Sequence, residues 1–240
     1  MAQFRFEATL PSCSVNKDLL TRLEHYCLEN LPKLLGPTHE KTRVTYELSI
    51  HDALGTETLD GIHQYGPDLL PDSTTSVAIE GTVRHPGGDR ATVNVAFARD
   101  RSSAKFGVRC EAAQAREIAV GVHHAIQRLI APSKNPNWFY HPGWPSALVF
   151  LVWMIVTMYF LGALGSKDTL VRATANRMTI PIEIPFIAYW MAGKLYKPFV
   201  AFDSRLQRGR DSSWKWFVSG FFGSIIFGTL LPSLLKKIWG

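Results

Sequence analysis

The feature that most limits how this chain can fold is a run of 21 residues, 145–165, without a charged side chain. A helix of this length measures about 30 Å at 1.5 Å per residue, which matches the hydrocarbon core of a bilayer. Aromatic residues precede the run closely, where membrane proteins place interfacial side chains: Trp138, Phe139, Tyr140 and Trp144. A buried core helix is the alternative, but the length and the aromatic flank favour a transmembrane helix over residues 145–165.

A second uncharged run covers residues 216–235 and has lysines on both flanks, which predicts a second transmembrane helix. Small residues recur at every fourth position within it, at Gly220, Ser224 and Gly228. A stripe of small residues lets another helix approach closely. We therefore predict helix packing at this stripe, against the first helix of the same chain or, as the less favoured alternative, within a homo-oligomer.

Residues 166–213, between the two runs, are predicted to form a basic loop. Its segment 179–202 is apolar but is interrupted by prolines and by Glu183, Lys194 and Lys197. A complete span that carried three charges would cost several kcal/mol on insertion scales. We therefore expect an interfacial or re-entrant segment over residues 179–202.

The sequence does not decide on which side of the membrane this loop lies. The N-terminus has no basic region followed by an apolar stretch, so the N-terminal domain is expected in the cytoplasm. Two spans then place the loop 166–213 outside, although it holds eight basic residues, and the positive-inside rule predicts the opposite. A third span at 179–202 would relieve this conflict, but it would put the C-terminal lysines outside.

Residues 1–131 are predicted to form a soluble α+β domain. Alternation of apolar and polar residues predicts strands near residues 4–10, 43–51, 77–83, 93–97 and 104–110. Helical spacing of apolar residues predicts two amphipathic helices, near residues 16–35 and 112–130. The economical arrangement is a two-layer domain, with both helices on one face of an antiparallel sheet. A linker rich in proline and aromatic residues, 132–144, then leads to the α-helical transmembrane region.

The net charge of +6 is distributed unevenly along the chain. Residues 1–143 carry a balance of −1, whereas residues 144–240 carry +7. The excess positive charge therefore lies beside the apolar runs, where it can contact lipid headgroups. A nucleic-acid-binding domain would carry that charge on its folded part, so no nucleic acid is expected as a partner.

The sequence contains one pattern that resembles a binding site and none that resembles a catalytic site. Four basic residues are expected on the sheet face opposite the core, where they are candidates for binding an anion: Arg84, Arg90, Lys105 and Arg109. Motifs for nucleotide binding, for a nucleophile elbow or for zinc are missing, so no cofactor and no metal are expected. The three cysteines, Cys13, Cys27 and Cys110, do not form a disulfide framework.

These observations predict an integral membrane protein, most simply of the cell membrane, with its N-terminal domain in the cytoplasm. The domain is expected to bind an anionic ligand or a protein partner, while the membrane helices tether or assemble it among the lipids. A membrane-bound enzyme that acts on a lipid or a small anionic substrate is the first alternative, with no catalytic residue assigned. A scaffold or assembly factor of a membrane complex is the second.

Overall fold

The structure is a computed structural model, and it describes residues 2–36, 42–141, 143–165, 167–169, 173 and 197–225. Eight strands are described: β1 (Ala2–Thr9), β2 (Cys13–Val15), β3 (Arg43–His51), β4 (Thr56–Leu59), β5 (Ser76–Arg84), β6 (Arg90–Ala98), β7 (Lys105–Ala112) and β8 (Val200–Phe202). The helices are α1 (Lys17–His25), α2 (Leu31–Leu35), α3 (Ala115–Ile130), α4 (Trp144–Leu164) and α5 (Arg205–Ile225), with a π-helical segment (Tyr26–Asn30) that joins α1 to α2.

The predicted antiparallel sheet with helices is confirmed. Six strands form one sheet in the order β1-β7-β6-β5-β3-β4, and every neighbouring pair is antiparallel. Each strand of the β5–β6–β7 meander turns alternate residues toward the core, as Val77, Ile79 and Val83 do on β5. The helices cover this face, because the π-helical segment packs on β3 and β5 while α3 packs on β1 and β7.

The first helical region begins and ends where the sequence predicts. The Asn16 side chain accepts a hydrogen bond of 2.9 Å from the backbone N–H of Leu19, which caps α1. Gly36 follows α2 with a φ of +137°, a conformation that glycine adopts readily and that stops the helix. Between these points the helix widens to the π-helical segment, which places Cys27 directly over Gly81 of the sheet.

The edge strand β4 lies between the strands predicted near residues 43–51 and 77–83, where the sequence pattern predicts no strand. Thr56–Leu59 pairs with the end of β3, and three of its four residues are exposed. A strand with one buried residue has no alternating apolar pattern, so its sequence does not reveal it. Leu59 is the residue that fixes it to the core.

A second, two-stranded sheet joins the beginning of the domain to a distant part of the chain. β2 pairs in parallel with β8, and Cys13 lies opposite Val200. The three residues of β8 are 0 to 5% exposed. The sequence analysis placed these residues at the end of an interfacial or re-entrant segment, but the structure places them inside the folded domain. Their apolar side chains fill a gap beside β2, a pairing that local sequence cannot indicate.

Residues of the predicted linker are bonded to this second sheet. The Asn137 side chain is buried and donates a hydrogen bond of 2.9 Å to the carbonyl of Pro198. The backbone N–H of Asn135 donates to the carbonyl of Ser12 over 3.1 Å. The segment before α4 is thus held against the domain by residues that precede β2 and β8.

Helix α4 follows the first uncharged run of the sequence. Its residues Ser146–Leu164 are apolar, and none of them is buried against the rest of the described chain. Among the described residues it is the one helix long and apolar enough to cross a membrane by length and composition.

Helix α5 begins at Arg205, well before the second uncharged run, so residues 205–213 of the predicted loop are helical. Its first turn is capped by Asp72, whose carboxylate accepts from the backbone N–H of Leu206 over 2.8 Å. Gly220 and Ser224 lie four residues apart on this helix, whereas Gly228 lies outside the described residues. Residues 179–196 and 226–235 also lie outside them, so a second span, an interfacial segment and the helix-packing stripe stay predictions.

The contact between Gly81 and Cys27 generates a prediction about stability. A Cβ atom at position 81 would lie 3.0 Å from both Cβ and Sγ of Cys27, closer than carbon atoms tolerate. We expect Gly81→Ala to lower the free energy of unfolding by about 1–3 kcal/mol through overpacking. Urea unfolding of the detergent-solubilised full chain measures the change.

Gly107→Ala is the matched control, because the nearest atoms to a Cβ there are 3.9 Å away on the opposite face of the same sheet. It should leave the urea midpoint unchanged or raise it slightly. Equal losses in the two variants would contradict the packing assigned to Gly81.

Candidate functional site

The sheet face opposite the helices is open and polar, and the strand register arranges its side chains in rows. The row nearest one end of the sheet contains Arg43 on β3, Arg84 on β5 and Arg90 on β6. Arg84 lies directly opposite both of the others, and Glu111 of β7 continues the row beyond Arg90. Directly opposite residues of an antiparallel pair have Cα atoms about 5 Å apart, so three guanidinium groups are concentrated here. We call these three residues the arginine row.

The arginine row lacks acidic partners among the described residues. None of the ion pairs in that part of the chain includes Arg43, Arg84 or Arg90. The nearest carboxylate in the register, Glu111, is held by Arg109, whose Nη2 lies 3.0 Å from its Oε1. Like charges directly opposite each other destabilise a sheet, so this row lowers stability unless an anion neutralises it.

A cavity of about 480 Å³ accompanies the arginine row at the β5–β6 hairpin. It is lined by the three arginines, by Glu111 and by the hairpin residues His85, Pro86 and Gly88. The hairpin is tight, since Gly88 has a φ of +92° and donates its N–H to the carbonyl of His85 over 3.1 Å. The side chains around this cavity suit a small anion such as a phosphate or a carboxylate, which guanidinium groups bind through paired hydrogen bonds.

The four basic residues predicted from the sequence share the open face but do not form one group. Arg84 and Arg90 lie in the arginine row, and Arg109 lies in the neighbouring row opposite Arg5 of β1. Lys105 is at the other end of the sheet, opposite Ala96. Four residues of strand separate it from Arg109, which is about 13 Å at 3.3 Å per residue. Lys105 therefore cannot bind the same small anion as Arg84.

Arg43 is the member of the site that the sequence analysis did not identify. Its only signal is that it begins the alternating strand on the polar side, as many surface residues do. Its position opposite Arg84 depends on the register between β3 and β5, two strands that are not consecutive in the chain.

A second groove, of about 640 Å³, crosses β1, β7 and β6. Gly107 contributes no side chain to its floor, while Asn94 and Glu7 stand on either side of it in the register. Arg5 and Glu7 form an ion pair within the groove. Arg109, which also lines the groove, pairs with Glu111, so two of the three basic side chains here have carboxylate partners, in contrast to those of the arginine row.

His51 and His63, which lie on either side of β4, have separate partners. The His51 ring nitrogen Nδ1 lies 2.7 Å from the Thr56 hydroxyl. His63 Nδ1 lies 3.9 Å from Oε1 of Glu24, whose other oxygen accepts from the backbone N–H of Ile62. Within the part of the chain that the structure describes, no group of three His, Cys, Asp or Glu residues is placed to hold a metal ion.

Comparison with protein-family models, with curated proteins and with solved structures finds no match to this chain. The chemistry and the placement of the arginine row and of helix α4 are therefore the basis for a function.

The arginine row predicts that removal of one of its charges raises the stability of the domain. Arg84 has an arginine on each side, so Arg84→Gln removes two repulsive contacts. In a buffer of low ionic strength without phosphate, we expect the free energy of unfolding of this variant to be higher by about 0.2–1 kcal/mol. The variant should therefore unfold at a higher temperature. The gain should shrink as sodium chloride screens the charges.

Lys105→Gln is the control for this measurement, because it removes the same charge from the same face without a basic neighbour opposite it. It should not change the unfolding temperature. A loss of stability in Arg84→Gln at low salt would mean that the arginine row is already neutralised within the chain.

Proposed function

We propose that this protein is a membrane-anchored binding module, whose domain binds a soluble anionic ligand at the arginine row. The observation that carries this proposal is the row itself, three adjacent guanidinium groups beside a cavity and without a carboxylate partner in the described chain. An anion bound there would replace repulsion among the arginines with charge-assisted hydrogen bonds.

Helix α4 supports the membrane part of the proposal. It presents apolar side chains on all sides, and the described residues leave it uncovered. A soluble protein rarely exposes so large an apolar surface, whereas lipid would cover it. Aromatic residues gather at its base, with the Trp138 and Trp144 rings 6.2 Å apart and the Tyr140 ring 6.2 Å from Trp214 of α5. Such residues suit the headgroup level of a bilayer.

The position of the arginine row favours a soluble ligand over a headgroup of the same membrane. Phe199, next to β8, donates its N–H to the carbonyl of Arg99 at the end of β6, so α4 and α5 leave the domain near this end of the sheet. The arginine row lies at the opposite end of the strands. β5 runs from Ser76 to Arg84, which is about 26 Å at 3.3 Å per residue. An acidic segment of a partner protein would also reach this end of the sheet. Such a ligand would correspond to the alternative in which this protein is a scaffold or assembly factor.

The enzyme alternative depends on Glu111, the carboxylate that lines the same cavity as the arginines. A general acid or base must be free to exchange a proton with the substrate. Because Arg109 binds Glu111 through Nε and Nη2, binding without turnover is the simpler function for this geometry.

The test is thermal unfolding of the full chain in detergent, with inorganic pyrophosphate as the probe. Pyrophosphate should raise the unfolding temperature of the wild type and of Lys105→Gln, as a ligand specific for the folded state does. It should not raise that of the Arg84→Gln/Arg90→Gln variant. An equal shift in all three proteins would indicate a general salt effect and would contradict the proposed site.

A further inference from the structure

We infer that residues 197–215 lie on the same side of the membrane as the domain, while Lys167 and Asp168 lie on the opposite side. The inference rests on the proposed membrane anchoring and concerns how the chain passes through the bilayer. It relieves the conflict between the number of spans and the basic residues of the loop 166–213.

The first step is that β8 belongs to the folded domain. Val200 is fully buried and lies opposite Cys13, which is also fully buried. The Ser12 hydroxyl donates a hydrogen bond of 2.8 Å to the carbonyl of Phe199, and the N–H of Asp203 donates to the carbonyl of Val15 over 2.8 Å. These contacts leave no room for a bilayer between β8 and the domain.

The second step is that the start of α5 is also fixed to the domain. Asp72 caps the helix through the N–H of Leu206, and Leu70 donates its N–H to the carbonyl of Asp203 over 3.0 Å. An ion pair between Lys197 and Asp211 then joins the segment before β8 to the second turn of the helix. The charged first half of α5 therefore lies where the domain lies.

The third step is that α4 leads away from this same place. Its first residue, Trp144, contacts Trp138, which belongs to the turn that is bonded beside β8. Its 21 residues extend about 30 Å, enough to cross the hydrocarbon core. If α4 crosses, the exposed charged residues that follow it, Lys167 and Asp168, lie beyond the far headgroups.

The consequence is that the chain must return across the bilayer between Asp168 and Lys197. The 28 residues between them exceed the roughly 20 residues that a crossing needs. Four of the eight basic residues of the predicted loop then lie on the side of the domain: Lys197, Arg205, Arg208 and Arg210. This distribution fits the positive-inside rule for a cytoplasmic domain better than the two-span arrangement, which places all eight outside, although a further span at 216–235 would put the C-terminal lysines outside.

The test is the labelling of single introduced cysteines in the full chain, with a membrane-impermeant maleimide added to sealed vesicles before and after permeabilisation. The sites are Gln127→Cys on α3, Lys167→Cys after α4 and Ser212→Cys on α5, and all three positions are exposed. The native cysteines give little background, because burial raises the pKa of the Cys13 and Cys27 thiols to about 12 and that of Cys110 to about 11. The wild type serves as the control for this background.

We expect Gln127→Cys and Ser212→Cys to label under the same condition and Lys167→Cys under the opposite one. If the protein resists extraction by alkaline carbonate, but Lys167→Cys and Ser212→Cys label together, the inferred sidedness is wrong and the membrane anchoring stands. If carbonate releases the protein and all three sites label before permeabilisation, both the anchoring and the inference are wrong.

Discussion

The pairing of β2 with β8 is the contact on which the arrangement of this protein depends. It joins Cys13–Val15, near the start of the chain, to Val200–Phe202, which comes after the apolar helix α4. The domain is therefore discontinuous in sequence, and its last strand follows the segment proposed to enter the membrane. One short parallel ladder, buried and supported by Ser12 and Asn137, fixes where both α4 and α5 leave the domain.

Because this ladder lies near one end of the large sheet, the two ends of the sheet differ. The end near Arg99 carries β8 and the bases of α4 and α5, with their aromatic rings and basic side chains. The other end carries the arginine row, where Arg43, Arg84 and Arg90 repel one another in the absence of an anion. Anchoring at one end and ligand binding at the other are compatible, because the length of the strands separates them.

The sequence predicted what depends on local pattern and missed what depends on distant pairing. Alternation and helical spacing identify β3, β5, β6, β7, α1 and α3, because burial of one face leaves a period in the residues. Asn16 marks the start of α1 because a cap is a local interaction. β8 gives no such sign, since its three residues read as part of an apolar segment. The candidate site follows the same division: Arg84 and Arg90 flank one hairpin, whereas Arg43 lies beside them only because of the register between β3 and β5.

The most direct test of this account is a disulfide between β2 and β8. Cys13 and Val200 are opposite each other in the register, and Cα separations between neighbouring strands lie in the range that a disulfide spans. With Val200→Cys, unfolding the full chain in detergent and refolding it in a glutathione redox mixture should link the two residues and increase mobility on a non-reducing gel, because both thiols are accessible before the domain closes. Ala201→Cys, opposite Ser14, is the control and should not form this link. Crosslinking in Ala201→Cys but not in Val200→Cys, or in neither, would contradict the placement of β8 in the domain.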